Sequence, residues 1–329
     1  MSMFTVFSML LFHCTKSEID SSEPVVEDDL SWTSTIVDDE RGLLMSIWEA
    51  GEYDIWVAGG QTDKGLLIRC QTQDCTQADW EELSLPEDTP LLNWIHGTTA
   101  NDVWVGGISG TLLHWNGSTW EDYSFEMSEA IWGIHADENS VTVVGGTSRW
   151  GGDTAVVSSL QGGDFINIEM PDVLSDVSNL FKVTATAEDT WIVGEQGTLM
   201  QCAAECSPIP TGLATDLITI TADGNQVHLV GGRGTGIYSS IVDGGLGEVI
   251  QVPAGLNGVS AREGQVLVAG ERGYAAFLEN EQLVEIPSVT LDVLHAALID
   301  SQGRAFAVGG NLFTAEPTFH GVLLQMDIP

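Results

Sequence analysis

The sequence predicts an all-β fold, a seven-bladed β-propeller of four-stranded antiparallel blades whose last blade is closed by the N-terminal strand. Three observations predict it. A hydrophobic triplet running into glycine recurs seven times, as in WVAGG at Trp56, WVGG at Trp104 and FAVGG at Phe306. The anchor glycines Gly59, Gly107, Gly145, Gly194, Gly231, Gly270 and Gly309 are separated by 48, 38, 49, 37, 39 and 39 residues, and a period near forty with strand-like segments is the mark of a propeller. Finally, the last repeat stops one strand short, while the segment Leu30–Val37 precedes the first repeat with no partner strands of its own.

The second repeat gives the blade most plainly. Leu91–Thr98 reads as the inner strand a, Val103–Gly107 as b, Thr111–Trp115 as c and Thr119–Phe125 as d, with short polar or glycine turns between them. Strand b is covered on both faces by neighbouring blades, so it is apolar throughout rather than alternating. The large residue three before most anchors (Trp56, Trp104, Trp191, His228, Leu267, Phe306) is expected to wedge between blades. In the last repeat, Asp292–Ile299, Arg304–Gly309 and Gly321–Ile328 supply a, b and c. Leu30–Val37 then serves as strand d, and two unpaired edges disappear together.

Ahead of the ring, residues 1–14 read as a signal peptide. The apolar stretch Met3–Phe12 is too short to span a bilayer as a helix but suits a signal h-region. It ends at Cys14, which resembles a bacterial lipobox cysteine, with Leu11 three residues before it. Cys14 is therefore the candidate lipidation site, with plain secretion as the alternative. Residues 15–29, rich in serine and carboxylates, read as an acidic disordered tether, and residues 30–329 as the propeller. The expected location is exported, as an outer-membrane or cell-surface lipoprotein or else periplasmic or extracellular.

The other four cysteines form two close pairs, Cys70 with Cys75 and Cys202 with Cys206, at the same place in repeats one and four. Disulfides stapling the turn from c to d follow in an oxidising compartment. A zinc site is the alternative, but it needs pairs three blades apart to meet.

The chain of 329 residues carries 48 acidic and 10 basic residues, a net charge of −38. That balance excludes a nucleic-acid partner and adsorption to anionic membranes, leaving membrane contact to a lipid anchor. It fits solubility in a salty medium. A calcium surface is the sharper reading, although no EF-hand loop is present. No cofactor or metal is implied; His96 and His135, on neighbouring inner strands, are expected near the channel. In a propeller the b–c and d–a loops share the top face. Lys64, Arg149, Arg233 and Arg272 map to b–c loops and Arg41 to a d–a loop, five of ten basic residues on one face. Arg262 and Arg304 map to the opposite face. With Trp150 and Phe313 on the longest top loops, Lys64, Arg149, Trp150, Arg233, Arg272 and Phe313 form the candidate partner-binding set. Local charge balance is the competing explanation for the arginines.

The run NDVWVGGISGTLLHWNGSTW, Asn101–Trp120, resembles repeats of bacterial secreted propellers. It is similar to the photosystem II assembly-factor family and, through Asn116–Trp120, more weakly to sialidase Asp-box repeats. The resemblance implies a seven-bladed ring with a binding role and carries over no catalytic residue. The expected function is a non-catalytic binding or scaffold module tethered to the cell envelope, a monomer taking a protein or glycan partner, anionic groups included, through its top loops. The alternative is a glycoside-active enzyme of sialidase type. That chemistry needs an arginine cluster and a Tyr–Glu pair, and only Tyr53, Tyr123, Tyr238 and Tyr274 are present.

Overall fold

The structure, a computed structural model, describes residues 30–32, 34–38, 41–75, 79–148, 151–202, 205–311 and 318–328. Among these, the strands form seven antiparallel sheets around a central axis. In blade 1 the strands are Leu43–Gly51, Asp54–Gln61, Lys64–Cys70 and Glu81–Glu82; in blade 2, Leu92–Thr99, Asp102–Gly107, Leu112–Trp115 and Trp120–Asp122. Blades 3 and 4 start at Ala130–Ala136 and Leu180–Ala185, and blades 5 and 6 at Leu217–Asp223 and Leu256–Arg262. The outer strand is the least regular. In blade 2 it is three residues long where the sequence predicts seven, because its outer edge faces water and little packing holds it. In blade 5 it is split into Gly245–Leu246 and Ile250–Val252, both paired with Gly236–Val242.

Strand b is the buried spine of each blade. Asp54–Gln61 is buried along nearly its whole length, and Val57, Val105, Val143, Val193 and Val268 are fully buried. Each such side chain contributes roughly 1.5–3 kcal/mol through removal from water. The predicted wedges are all inside, with Trp56 and Trp104 at 2% exposure and Phe306 at 0%. His228 is the polar member of the set, and its Nδ1 lies 2.8 Å from the Tyr238 hydroxyl.

The anchor glycines share one structural reason. A Cβ on Gly59 would sit 1.9 Å from the carbonyl oxygen of Leu43, and one on Gly309 would sit 1.9 Å from that of Val293. The other five would meet the carbonyls of Leu91, Ala130, Asn179, Asp216 and Gly255 at 2.0–2.6 Å. In each blade the carbonyl belongs to the chain entering strand a, so only glycine lets the two backbones approach this closely.

The ring closes as the sequence predicts. Ser34–Asp38 pairs with Gly321–Asp327, in register from Ser34 opposite Gln325 to Asp38 opposite Gly321. Inner strand Val293–Ile299 of blade 7 contacts Leu43–Gly51 of blade 1. Side chains lock this seam. The Glu49 carboxylate accepts bonds from Ser301 N and Oγ and from Arg262 Nη1. Arg304 is only 5% exposed, pairs with Asp300 at 2.7 Å and donates to the Gln73 carbonyl. The sequence places Arg304 on the bottom surface; instead it is a buried ion pair, because Asp300 and the 72–75 loop enclose it.

Both expected disulfides are present, Cys70–Cys75 and Cys202–Cys206. Cys70–Cys75 ties the end of strand c of blade 1 to the first part of its longer connection to Glu81, and Cys202–Cys206 closes the tight c–d turn of blade 4; each accounts for about 2 kcal/mol through loss of chain entropy in the unfolded state. Two disulfides suit an oxidising, exported compartment. The first also shapes the loop on which Arg304 and Gln325 of blade 7 dock.

Trp32 lies just before the closing strand, 8% exposed, in the same apolar cluster as Leu294, Val322 and Leu324. Replacing it by alanine is expected to lower unfolding free energy by about 3–5 kcal/mol, read by denaturant titration. A loss below 1 kcal/mol contradicts the closure described here.

Candidate functional site

Every inner strand carries one β-bulge at its top end. The register shifts between Leu44 and Ser46, Leu92 and Trp94, Ile131 and Gly133, Leu180 and Lys182, Leu217 and Thr219, Leu256 and Gly258, and Leu294 and Ala296. The residue before each shift pairs with the anchor glycine of its own blade, as Leu44 does with Gly59 and Leu294 with Gly309. The skipped residues are Met45, Asn93, Trp132, Phe181, Ile218, Asn257 and His295. A bulge turns its extra residue out of the ladder. All seven line one funnel at the mouth of the central channel, a cavity of about 480 Å³.

The top loops form the rim. Thr147 and Ser148, Glu195 and Arg233 come from b–c connections, and Asn179 and Asp216 from d–a connections. Rim carboxylates are already engaged. Glu195 accepts from Ser178 N and Oγ, while Asp216 accepts from Gln196 N and, at 3.2 Å, from Arg233 Nε. Beneath the rim the inner strands are stitched across blades by side chains reaching their free backbone edges. Asn93 Nδ2 donates to Ile131 O, Trp94 Nε1 to Ile134 O and Thr219 Oγ1 to Asn257 O.

The floor holds an unusual cation. Lys182, 8% exposed, donates to the Trp132 carbonyl at 2.6 Å and lies 4.2 Å from the centre of the Trp94 ring. Among the described residues no carboxylate pairs with it, and burial pulls its pKa from 10.5 to about 7. His295 is held neutral, its pKa pushed down to about 4 by burial and then by the Lys182 charge. Three buried polar atoms lining the funnel have no partner: Asn93 Oδ1, Asn179 Oδ1 and His295 Nε2. Polar groups left unpaired in a folded interior are costly, so each of these three calls for a water, an ion or a ligand group as its partner.

Of the residues proposed from sequence, Arg233 lies on the funnel rim. Arg272 sits at an exposed turn tip on the same face, at φ 57°. Its neighbour Glu271 accepts from Gly234 N and Gly255 N, so that carboxylate braces the adjacent blade. Lys64 is farther out, in a separate cleft beside Glu82 at 3.9 Å. Arg149, Trp150, Phe313 and Cys14 lie outside the described residues. His96 and His135 are neighbours, ring centres 5.0 Å apart, with His96 Nδ1 accepting from Ala136 N. Burial pushes the pKa of His96 down to about 3. The bulged residues and Lys182 were not singled out from the sequence. Their signal is a frame in strand a, a Leu or Ile, then a freely varying residue, then the bulge's exit.

No family model matches the chain, and no curated protein matches it in sequence. Among solved structures it is similar to YCF48 bound to D1 peptide, with TM-score 0.64 and 13% identity over 92% of this chain and 99% of that one. The likeness is one of fold. It agrees with the resemblance to photosystem II assembly factors carried by the repeats. The WD40 β-propeller domain of Doa1 is similar too, with TM-score 0.63 and 9% identity over 89% of this chain and 96% of that one.

A pH series tests whether Lys182 is kept at a cost to stability. Between about pH 7 and 10.5 the unfolded chain holds a proton that the native lysine has lost, so stability rises with pH across that window. The penalty is complete below pH 7. Lys182→Met, which keeps the alkyl chain, is expected to be more stable than the parent at pH 6–7 by on the order of a few kcal/mol, with the gain shrinking toward pH 10. Equal or lower stability of the variant at pH 6 contradicts an unpaired buried cation.

Proposed function

We propose that the protein is a non-catalytic binding module that takes a protein or peptide partner over its top face, centred on the funnel. The observation that carries this reading is the convergence of one bulged residue from each of seven blades on a single opening. A mixed apolar and polar concavity with a few aimed groups is the usual form of a recognition site. Arg233 lies on its rim and Arg272 at an exposed turn of the same face, and arginine near aromatic side chains such as the half-buried Trp132 and Phe181 is the composition of binding hot spots. The solved YCF48 structure contains a bound D1 peptide, which gives a precedent for peptide recognition on a ring of this shape.

The two disulfides fit an exported protein. We extend that to an envelope-tethered one, with Cys14 lipidated and residues 15–29 acting as a leash, on the strength of the lipobox-like sequence. A leash places the ring near a surface while leaving its top face to a partner.

Photocrosslinking tests the docking face. Benzoylphenylalanine placed at Gln196 or Arg272 (top) is expected to yield a discrete adduct in intact cells, and at Glu138 or Glu263 (bottom) none. Adducts from the bottom positions, or equally from both faces, overturn the assignment.

A further inference from the structure

We propose that the funnel is a pocket for an organic carboxylate carried on a flat apolar ring, with Lys182 and His295 receiving the carboxylate and Trp132 and Phe181 receiving the ring. The pocket is chemically divided. Lys182 has three N–H donors, of which one goes to the Trp132 carbonyl, and no carboxylate of the chain pairs with it among the described residues. His295 Nε2 is buried and unpartnered beside it; as the Nε2–H tautomer it donates to an anion. In a chain of net charge −38, a cation left without a carboxylate on the floor of a cavity is the feature that selects for negative charge on the ligand.

The other half selects for a ring. Trp132 and Phe181 are both half-buried bulge residues, and neither is in contact with another aromatic ring among the described residues. The Trp132 N–H is already bound to the Thr147 carbonyl at 3.1 Å and the indole packs in part against the apolar cluster of Met45 and Ala130, which together fix it, and the part left uncovered lines the funnel as apolar surface. Asn93 is 1% exposed, its amide nitrogen bonded to Ile131 O and its oxygen unpartnered. That oxygen accepts from a ring N–H or hydroxyl. About 480 Å³ accommodates a ligand of this kind with room to spare. The carboxylate is that of a free aromatic acid or that of a partner chain ending in an aromatic residue. This deepens the docking reading above, but the pocket is present in the isolated protein, so the test needs no partner.

Isothermal titration calorimetry with the full folded protein uses indole-3-acetate, its neutral amide, tryptamine, and a hexapeptide ending in tryptophan with a free or an amidated C-terminus. One-to-one binding of indole-3-acetate or of the free-acid peptide is expected, at least about ten-fold tighter than its amide, with tryptamine weaker still. Tighter binding of the small acid identifies a free metabolite as the source, and tighter binding of the peptide identifies a chain terminus. Lys182→Met is expected to fold, as judged by its cooperative thermal transition, and to lose at least ten-fold in affinity. Lys64→Ala, a cation in a separate cleft beside Glu82, is expected to lose less than three-fold. Equal affinity for acid and amide, no binding of either acid at millimolar concentration, or a loss in Lys64→Ala as large as that in Lys182→Met overturns the proposal. Crosslinking from the top face alongside a failed titration separates the two, since docking then stands without an acid pocket.

Discussion

The contact on which the rest of the molecule depends is the approach of each anchor glycine to the carbonyl of the chain entering strand a. It brings strand b against the inner strand with no intervening side chain. One residue past the partner of that glycine, the inner strand bulges, and the bulge delivers one side chain into the channel mouth. The repeated glycine motif and the funnel are thus two ends of one device. The motif keeps the backbone geometry constant in seven blades, while the residue it presents is free to vary from methionine to histidine. Regular architecture and an irregular site follow from the same contact.

That relation explains what was legible in the sequence. The glycines, the apolar strand b and the missing outer strand of the last repeat are local patterns, and each forces a structural result through sterics or edge pairing. The paired cysteines belong with them, since four or five residues of separation across a turn leave few other partners. The funnel was not legible because Met45, Asn93, Trp132, Phe181, Ile218, Asn257 and His295 share no side-chain chemistry. What they share is a position beside a constant Leu or Ile. Lys182 is hidden for a related reason: a lysine in a strand ordinarily points to water, but this one lies on an inner strand and is covered by Trp132 and Trp94 of the two preceding blades. Arg304 misleads in the same direction, because Asp300 is four residues away in sequence but the Gln73 carbonyl that completes its site is across the ring seam.

Charge gives the molecule a second level of organisation. Most acidic groups are spread over the outside, and several on the loops are consumed as hydrogen-bond acceptors between blades, as with Glu49, Glu195 and Glu271. Such carboxylates hold loop backbone to loop backbone and offer little to a ligand. The basic residues divide more sharply. Arg262 and Arg304 are committed to Glu49 and Asp300 at the closure seam, whereas Arg233 and Arg272 remain exposed on the top face and Lys182 sits on the funnel floor. At ordinary salt an external field fades over about 8 Å. A partner arriving at the top face therefore meets these cations, and the rim carboxylates Glu195 and Asp216 beside them, more than the distant acidic flanks.

The most direct measurement is the stability of Gly309→Ala beside Gly51→Ala. A Cβ at Gly309 would fall 1.9 Å from the Val293 carbonyl, a backbone atom that must move, whereas one at Gly51 meets nothing within 4 Å. The account predicts a loss of about 1–3 kcal/mol or more for Gly309→Ala, with Gly51→Ala neutral or slightly stabilising through the unfolded state. Equal effects of the two substitutions would contradict the claim that the glycine contact sets the inner strand, the bulge and the funnel together.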